Sequence, residues 1–140
     1  MVLINSIRGE CFCHESEDIE KVSKAFQLFF PEKKISIQVN QGFFGTKIKV
    51  LKAELKGKEA QDLLEKIISY LSKEEKNEIL NHLENYSWEA YKLILTFDKQ
   101  KAFSQQKISL SQGSDVIKLI ISFQQLSNKN FNTFLKEILG

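Results

Sequence analysis

The fold class this sequence predicts is α+β, a two-layer sandwich with a mostly antiparallel or mixed sheet and helices on one face. Three observations point there. Several stretches alternate apolar and polar residues, most plainly Tyr91 to Phe97, where Tyr91, Leu93, Leu95 and Phe97 share one side and Lys92 and Thr96 the other. Other stretches repeat their apolar residues at helical spacing, clearest over Lys58 to Leu71. The strands follow one another through short turns, as hairpins do. With 140 residues, the chain is expected to form one domain over residues 1–140 that buries enough surface to need no staples.

Taken in order, Val2 to Cys13 reads as a long first strand with Ile7, Gly9, Cys11 and Cys13 on one face. Ser16 precedes two acids and an apolar series, Ile19, Val22, Ala25 or Phe26, and Phe29, so it is expected to cap an amphipathic helix that Pro31 ends. Ile35, Ile37 and Val39 form a second strand, and Gly42 and Gly45 bracket a turn holding Phe43 and Phe44. A third strand runs from Ile48 to Leu55. Its apolar residues change parity after Val50, which predicts a β-bulge near Val50 and Leu51.

Ala60, Leu63, Leu64, Ile67, Ile68 and Leu71 make the stripe of the clearest helix, and Ser72 to Glu75, SKEE, matches a capping box that starts a short one. The Tyr91 strand then delivers an abruptly charged segment, Asp98 to Lys101, a suitable place for a binding loop. Ile108 and Leu110 make a short strand, Val116 to Phe123 another. A last helix, capped by Ser127 or Asn128, carries Phe131, Phe134, Leu135, Ile138 and Leu139. The predicted order is β-α-β-β-α-α-β-β-β-α.

The net charge of +2 conceals an uneven distribution. Residues 47–58 hold five lysines against one acid, and residues 92–118 five lysines against two, while residues 1–32 and 59–85 are acidic. Two basic segments that meet in space would make a surface for a polyanion, whereas solvated strand edges would carry the same lysines for a different reason. No apolar run is long enough for a membrane span, and the N-terminal residues lack the pattern of a signal peptide. An intracellular, cytoplasmic protein without membrane contact is expected.

Cys11, Cys13 and His14 are the one cluster of metal-ligand types, and His82 is the other histidine. On a strand His14 faces away from both thiols, so neither a zinc site nor a Cys/His nucleophile is expected, and the thiols are expected to be reduced core fillers. No GxGxxG, P-loop or GxSxG pattern is present, and the acids lie mainly on helix faces and in first turns. The chain therefore reads as a non-enzyme without cofactor. Phe43 and Phe44, adjacent on extended backbone, face opposite ways. An exposed one beside a lysine-rich strand would stack on an unpaired base, and the alternative packs both rings.

Three stretches, HESEDIEKVSKAF at 14–26, QGFFGTKIKVLKAEL at 41–55 and LTFDKQKAF at 95–103, resemble an archaeal family of small predicted RNA-binding proteins described as predicted associates of the RNA exosome. The resemblance covers about residues 2–123. It departs at Ser16, where the family usually has Thr, and at Ser104 and Gln105, where a Gly is common. What it implies is a fold similar to the ribosomal protein that holds 5S rRNA, and a non-catalytic domain for structured RNA in RNA processing or ribosome-related complexes. On that reading Lys47, Lys49, Lys52, Lys99, Lys101 and Lys107 neutralise phosphates and Gln100 meets a 2′-hydroxyl or base edge. With Arg8 the lone arginine, recognition by shape is expected rather than bidentate base reading. The alternative is a protein-interaction adaptor or self-associating structural domain that docks on an RNA-processing complex.

Overall fold

The computed structural model describes residues 4–41, 47–82, 86, 91–113, 115–124 and 139. Five antiparallel strands form one sheet in the order β2-β3-β1-β5-β4, made by β1 (Ile4–Cys13), β2 (Ser36–Gln41), β3 (Lys47–Lys56), β4 (Lys92–Asp98) and β5 (Val116–Phe123). The helices are α1 (Ile19–Phe26), α2 (Gly57–Tyr70), α3 (Lys73–Asn81) and a two-turn α4 (Lys99–Gln105). The α+β class and the strand and helix order agree with the sequence reading.

Alternation along each strand assigns the two faces. Ile7, Gly9, Cys11 and Cys13 of β1, Leu51, Ala53 and Leu55 of β3, Leu93, Leu95 and Phe97 of β4, and Ile117, Leu119 and Ile121 of β5 are buried. They share a core with Val22, Ala25 and Phe26 of α1 and Ala60, Leu63, Leu64 and Ile67 of α2. The other face, with Arg8, Glu10, Phe12, Lys52, Glu54 and Lys118, is open. Gly9 sits on the central strand where the layers come closest. A Cβ there would lie 2.2 Å from the Phe30 ring, so only glycine lets Phe26 and Phe30 pack flat on β1.

Several local expectations change. Pairing through Phe12↔Val50 and Cys11↔Leu51 is unbroken, so β3 carries no bulge at that point. The parity change arises because Val50 is buried to 2% exposure on the open side, while Leu51 enters the core. The register shift falls in β1 instead, between Ile4 and Ser6. The cap of α1 is Asp18 rather than Ser16: the helix starts at Ile19, and the Asp18 carboxylate accepts from the Glu20 amide at 3.0 Å. Ser72 and Glu75 do form the capping box, and the second Glu75 oxygen accepts from the Leu110 amide at 2.8 Å, which ties α3 to the segment after α4. Around Ile108–Leu110 the chain runs beside β4 through a single bridge, Phe97 to Leu110. The turn with Phe43 and Phe44 and the last helix, apart from the buried Leu139, lie outside the described residues.

Candidate nucleic-acid interface

Antiparallel topology brings the end of β1, the start of β3, the end of β4 and the start of β5 to one edge of the molecule. Both basic segments deliver residues there. Lys47 and Lys49 come from the start of β3. Lys99, Gln100 and Lys101 follow β4, since Asp98 caps α4 by accepting from the Lys101 amide at 2.8 Å. A helix of seven residues with a helix-forming Lys-Gln-Lys-Ala start replaces the loop expected after β4. Its signal was Asp98 as cap, too short a pattern to separate from a charged turn. Strands β1 and β5 stand between β3 and β4, so the two lysine groups flank a gap of about 14 Å, three strand spacings.

Lys99 occupies the middle of this edge and departs from its expected role. Its side chain is 3% exposed, and its ammonium touches Asp115 Oδ1 at 2.6 Å and Glu17 Oε1 at 2.9 Å and donates to the Phe12 carbonyl at 2.9 Å. An ammonium has three donors and all three are engaged, which leaves none for a phosphate. Burial pushes the Lys99 pKa down, but the hydrogen bonds to Asp115 and Glu17 outweigh it and the net shift is upward. Burial raises the Asp115 carboxyl, yet the hydrogen bonds from Lys99 and Gln100 more than reverse this and hold it below its ordinary value. The cluster is therefore charged and structural. It joins the turn after β1, the start of α4 and the start of β5.

The remaining predicted residues divide by face. Lys52 lies on the open face opposite Glu10, whereas Lys47 and Lys49 share the parity of Leu51 and so lie on the helical side of the sheet, Lys47 exposed and Lys49 half-buried. Lys49 is close enough to act electrostatically on Cys13. Gln100 is exposed and donates to Asp115 Oδ2 at 3.1 Å, and Lys101 and Lys107 are exposed around α4. A donor to a carboxylate must be the amide nitrogen, so the Gln100 side-chain oxygen is left as an acceptor. Phe12, His14, Ser16, Glu17, Lys99, Gln100, Asp115 and Val116 line a depression of ≈ 510 Å³.

Cys11 and Cys13 are buried and free. Burial drives the Cys11 thiol up to about 12 and raises that of Cys13. Among the described residues no three His, Cys, Asp or Glu side chains are grouped to hold a metal, and no helix is long and apolar enough to cross a membrane.

Two of the stretches that carry the family resemblance thus meet in space, 14–26 through Glu17 and 95–103 through Lys99. A family model described as RNA binding matches residues 6–123 of the chain. The chain belongs to this RNA-binding family. Among relatives, an RNA-binding protein of Pyrococcus abyssi is 34% identical over 132 residues, covering 89% of this chain and 85% of that protein. An uncharacterised protein of Methanocaldococcus jannaschii is 33% identical over 147 residues, with 99% and 97% covered. A crystal structure of a protein of the same fold from Archaeoglobus fulgidus superposes with a TM-score of 0.82 at 27% identity, covering 96% of this chain and 99% of that one. The matched residues span nearly the whole described sheet. Membership makes RNA binding the activity to be explained. Arg8, Phe12 and Lys118, which also face outward, were missed in the sequence. The signal was available in the parity of β1, since assigning Gly9 and Cys11 to the core assigns Arg8 and Phe12 to the opposite face.

Proposed function

We propose that the chain is a non-catalytic domain that recognises structured RNA, with Lys47, Lys49, Lys52, Lys101 and Lys107 neutralising phosphates and the side-chain oxygen of Gln100 meeting a 2′-hydroxyl or a base-edge donor. The observation that carries this is the family match over residues 6–123, on a molecule whose basic segments flank one edge of the sheet. Lysine groups three strand spacings apart suit phosphates on neighbouring backbones, and the scarcity of arginine favours shape over base reading. Lys99 serves as the positioning residue of that edge. An RNA-processing setting is supported by the resemblance to predicted exosome-associated proteins.

The test is binding of a labelled structured RNA as salt rises. Phosphate contacts predict a log–log slope of several units, falling by roughly 0.7–0.9 for each contacting lysine removed. A salt-independent interaction, or none, would overturn the proposal. One observation favours a second reading as a docking module: β2 is a sheet edge exposed along its whole length, with Ile37 49% and Val39 59% exposed. A protein strand adding to β2 would bind in a salt-insensitive manner.

A further inference from the structure

The open sheet face holds a feature that phosphate contacts do not use. Arg8, Glu10 and Phe12 alternate outward along β1, the central strand of five, and His14 follows them. Phe12 is 46% exposed, although a large aromatic side chain in mid-sheet is ordinarily covered. Two depressions of ≈ 510 Å³ each lie along this line. One is lined by Arg8, Glu10, Lys52 and Lys118, and the other by Phe12, His14, Gln100 and Asp115.

Charge identifies the occupant. The cross-strand register sets Lys52, Glu10 and Lys118 in one row, so two lysines flank a single acid. Neither Lys52 nor Lys118 is ion-paired among the described residues, while Arg8 lies 3.9 Å from Glu54 with both side chains well exposed. A cationic row beside an exposed aromatic ring is how proteins hold single-stranded RNA, with phosphates over the charges and a base on the ring. The backbone that carries the ring is also tied down. Lys99 donates to the Phe12 carbonyl at 2.9 Å, fixing the strand end that presents it.

We propose that the open face is a platform for an unpaired RNA segment, with one base stacked on Phe12 and the adjoining backbone on Arg8, Lys52 and Lys118. This rests on the RNA-binding reading and adds to it a preference for RNA that contains unpaired nucleotides. Glu17 and Asp115 against Lys99 leave the Phe12 depression with one more acid than base, which suits a base ring and not a phosphate there, so the phosphates fall to Arg8, Lys52 and Lys118.

The experiment compares a labelled hairpin carrying an unpaired loop with a blunt duplex of the same stem, by fluorescence anisotropy at fixed salt. The proteins are wild type, Phe12→Ala, Phe12→Trp and a Lys49→Ala, Lys101→Ala, Lys107→Ala triple variant, each checked for an unchanged melting temperature. Phe12→Ala is expected to weaken hairpin binding at least about fivefold and leave duplex binding within about twofold, with Phe12→Trp close to wild type. Equal hairpin and duplex binding, indifferent to Phe12→Ala but weakened by the triple variant, would overturn the platform and leave the RNA reading standing. No binding of either RNA would overturn both. Sedimentation of the same proteins covers the other occupant: a dimer that Phe12→Ala dissociates would assign the face to a second copy and overturn the platform.

Discussion

Removing the Lys99 ammonium should destabilise the fold rather than merely weaken RNA binding. The Lys99 side chain is 3% exposed and holds Glu17 and Asp115, which are 22% and 44% exposed. Breaking a buried pair from one side costs about 3–5 kcal/mol, because the remaining charge is left uncompensated. Here the two carboxylates reach water, so part of that cost is recovered, and about 2–3 kcal/mol is expected for Lys99→Met, which keeps most of the aliphatic stem. In a domain of this size each kcal/mol lowers Tm by roughly 3–5 °C, so a drop of about 10 °C is predicted by circular dichroism at pH 7. Lys101→Ala, on an exposed side chain, should move Tm by no more than about 2 °C.

The pH dependence follows from the same cluster. The Asp115 carboxyl is held below its ordinary 3.8, so its contribution is present above that value and is lost as pH falls through the lowered folded pKa. The Lys99 pKa is raised above 10.5, so its contribution holds below that value and is lost as pH rises through the raised one. Lys99→Met should flatten both limbs of the stability profile. A variant that melts like wild type yet loses RNA binding would refute this reasoning, since Lys99 would then be a contact and not a brace.

Three further outcomes are expected. Gly9→Ala should destabilise by about 2–3 kcal/mol in chemical denaturation, because its Cβ would overlap the Phe30 ring and β1 is fixed by neighbours on both sides. Native protein at pH 8 should react with a thiol reagent many times more slowly than unfolded protein, given the buried thiols and a Cys11 pKa near 12, and stoichiometric fast labelling would contradict the burial. Ser72→Ala should cost about 1 kcal/mol by removing the α3 cap, measurable as a shift in the urea midpoint.

The sheet was legible because its signals are local and strong. Period-two alternation in Tyr91 to Phe97 and the stripe from Ala60 to Leu71 each specify a buried face without reference to the rest of the chain. The site was less legible. Lysine density located the two basic segments, but a sequence does not distinguish an exposed lysine from one whose three donors are consumed by Glu17, Asp115 and the Phe12 carbonyl, partners that lie 82, 16 and 87 residues away. The α4 helix failed for a related reason: seven residues barely exceed a nucleus, and packing of Ala102 and Phe103 on the core decides its formation. Phe12 lies between two cysteines assigned to the core; the parity of β1 already put it on the opposite face, but parity does not say that this face stays uncovered, which depends on where the helical layer closes.

The central claim, that RNA lies along the open face and the edge flanked by the basic segments, is tested most directly by mapping amide chemical-shift changes on titration with a structured RNA that carries an unpaired loop. The account predicts perturbations confined to Arg8–His14, Lys47–Lys52, Gln100–Lys107 and the start of β5, reduced by added salt. Perturbations centred on α2 and α3, where residues 59–85 are acidic, or none at all, would contradict it.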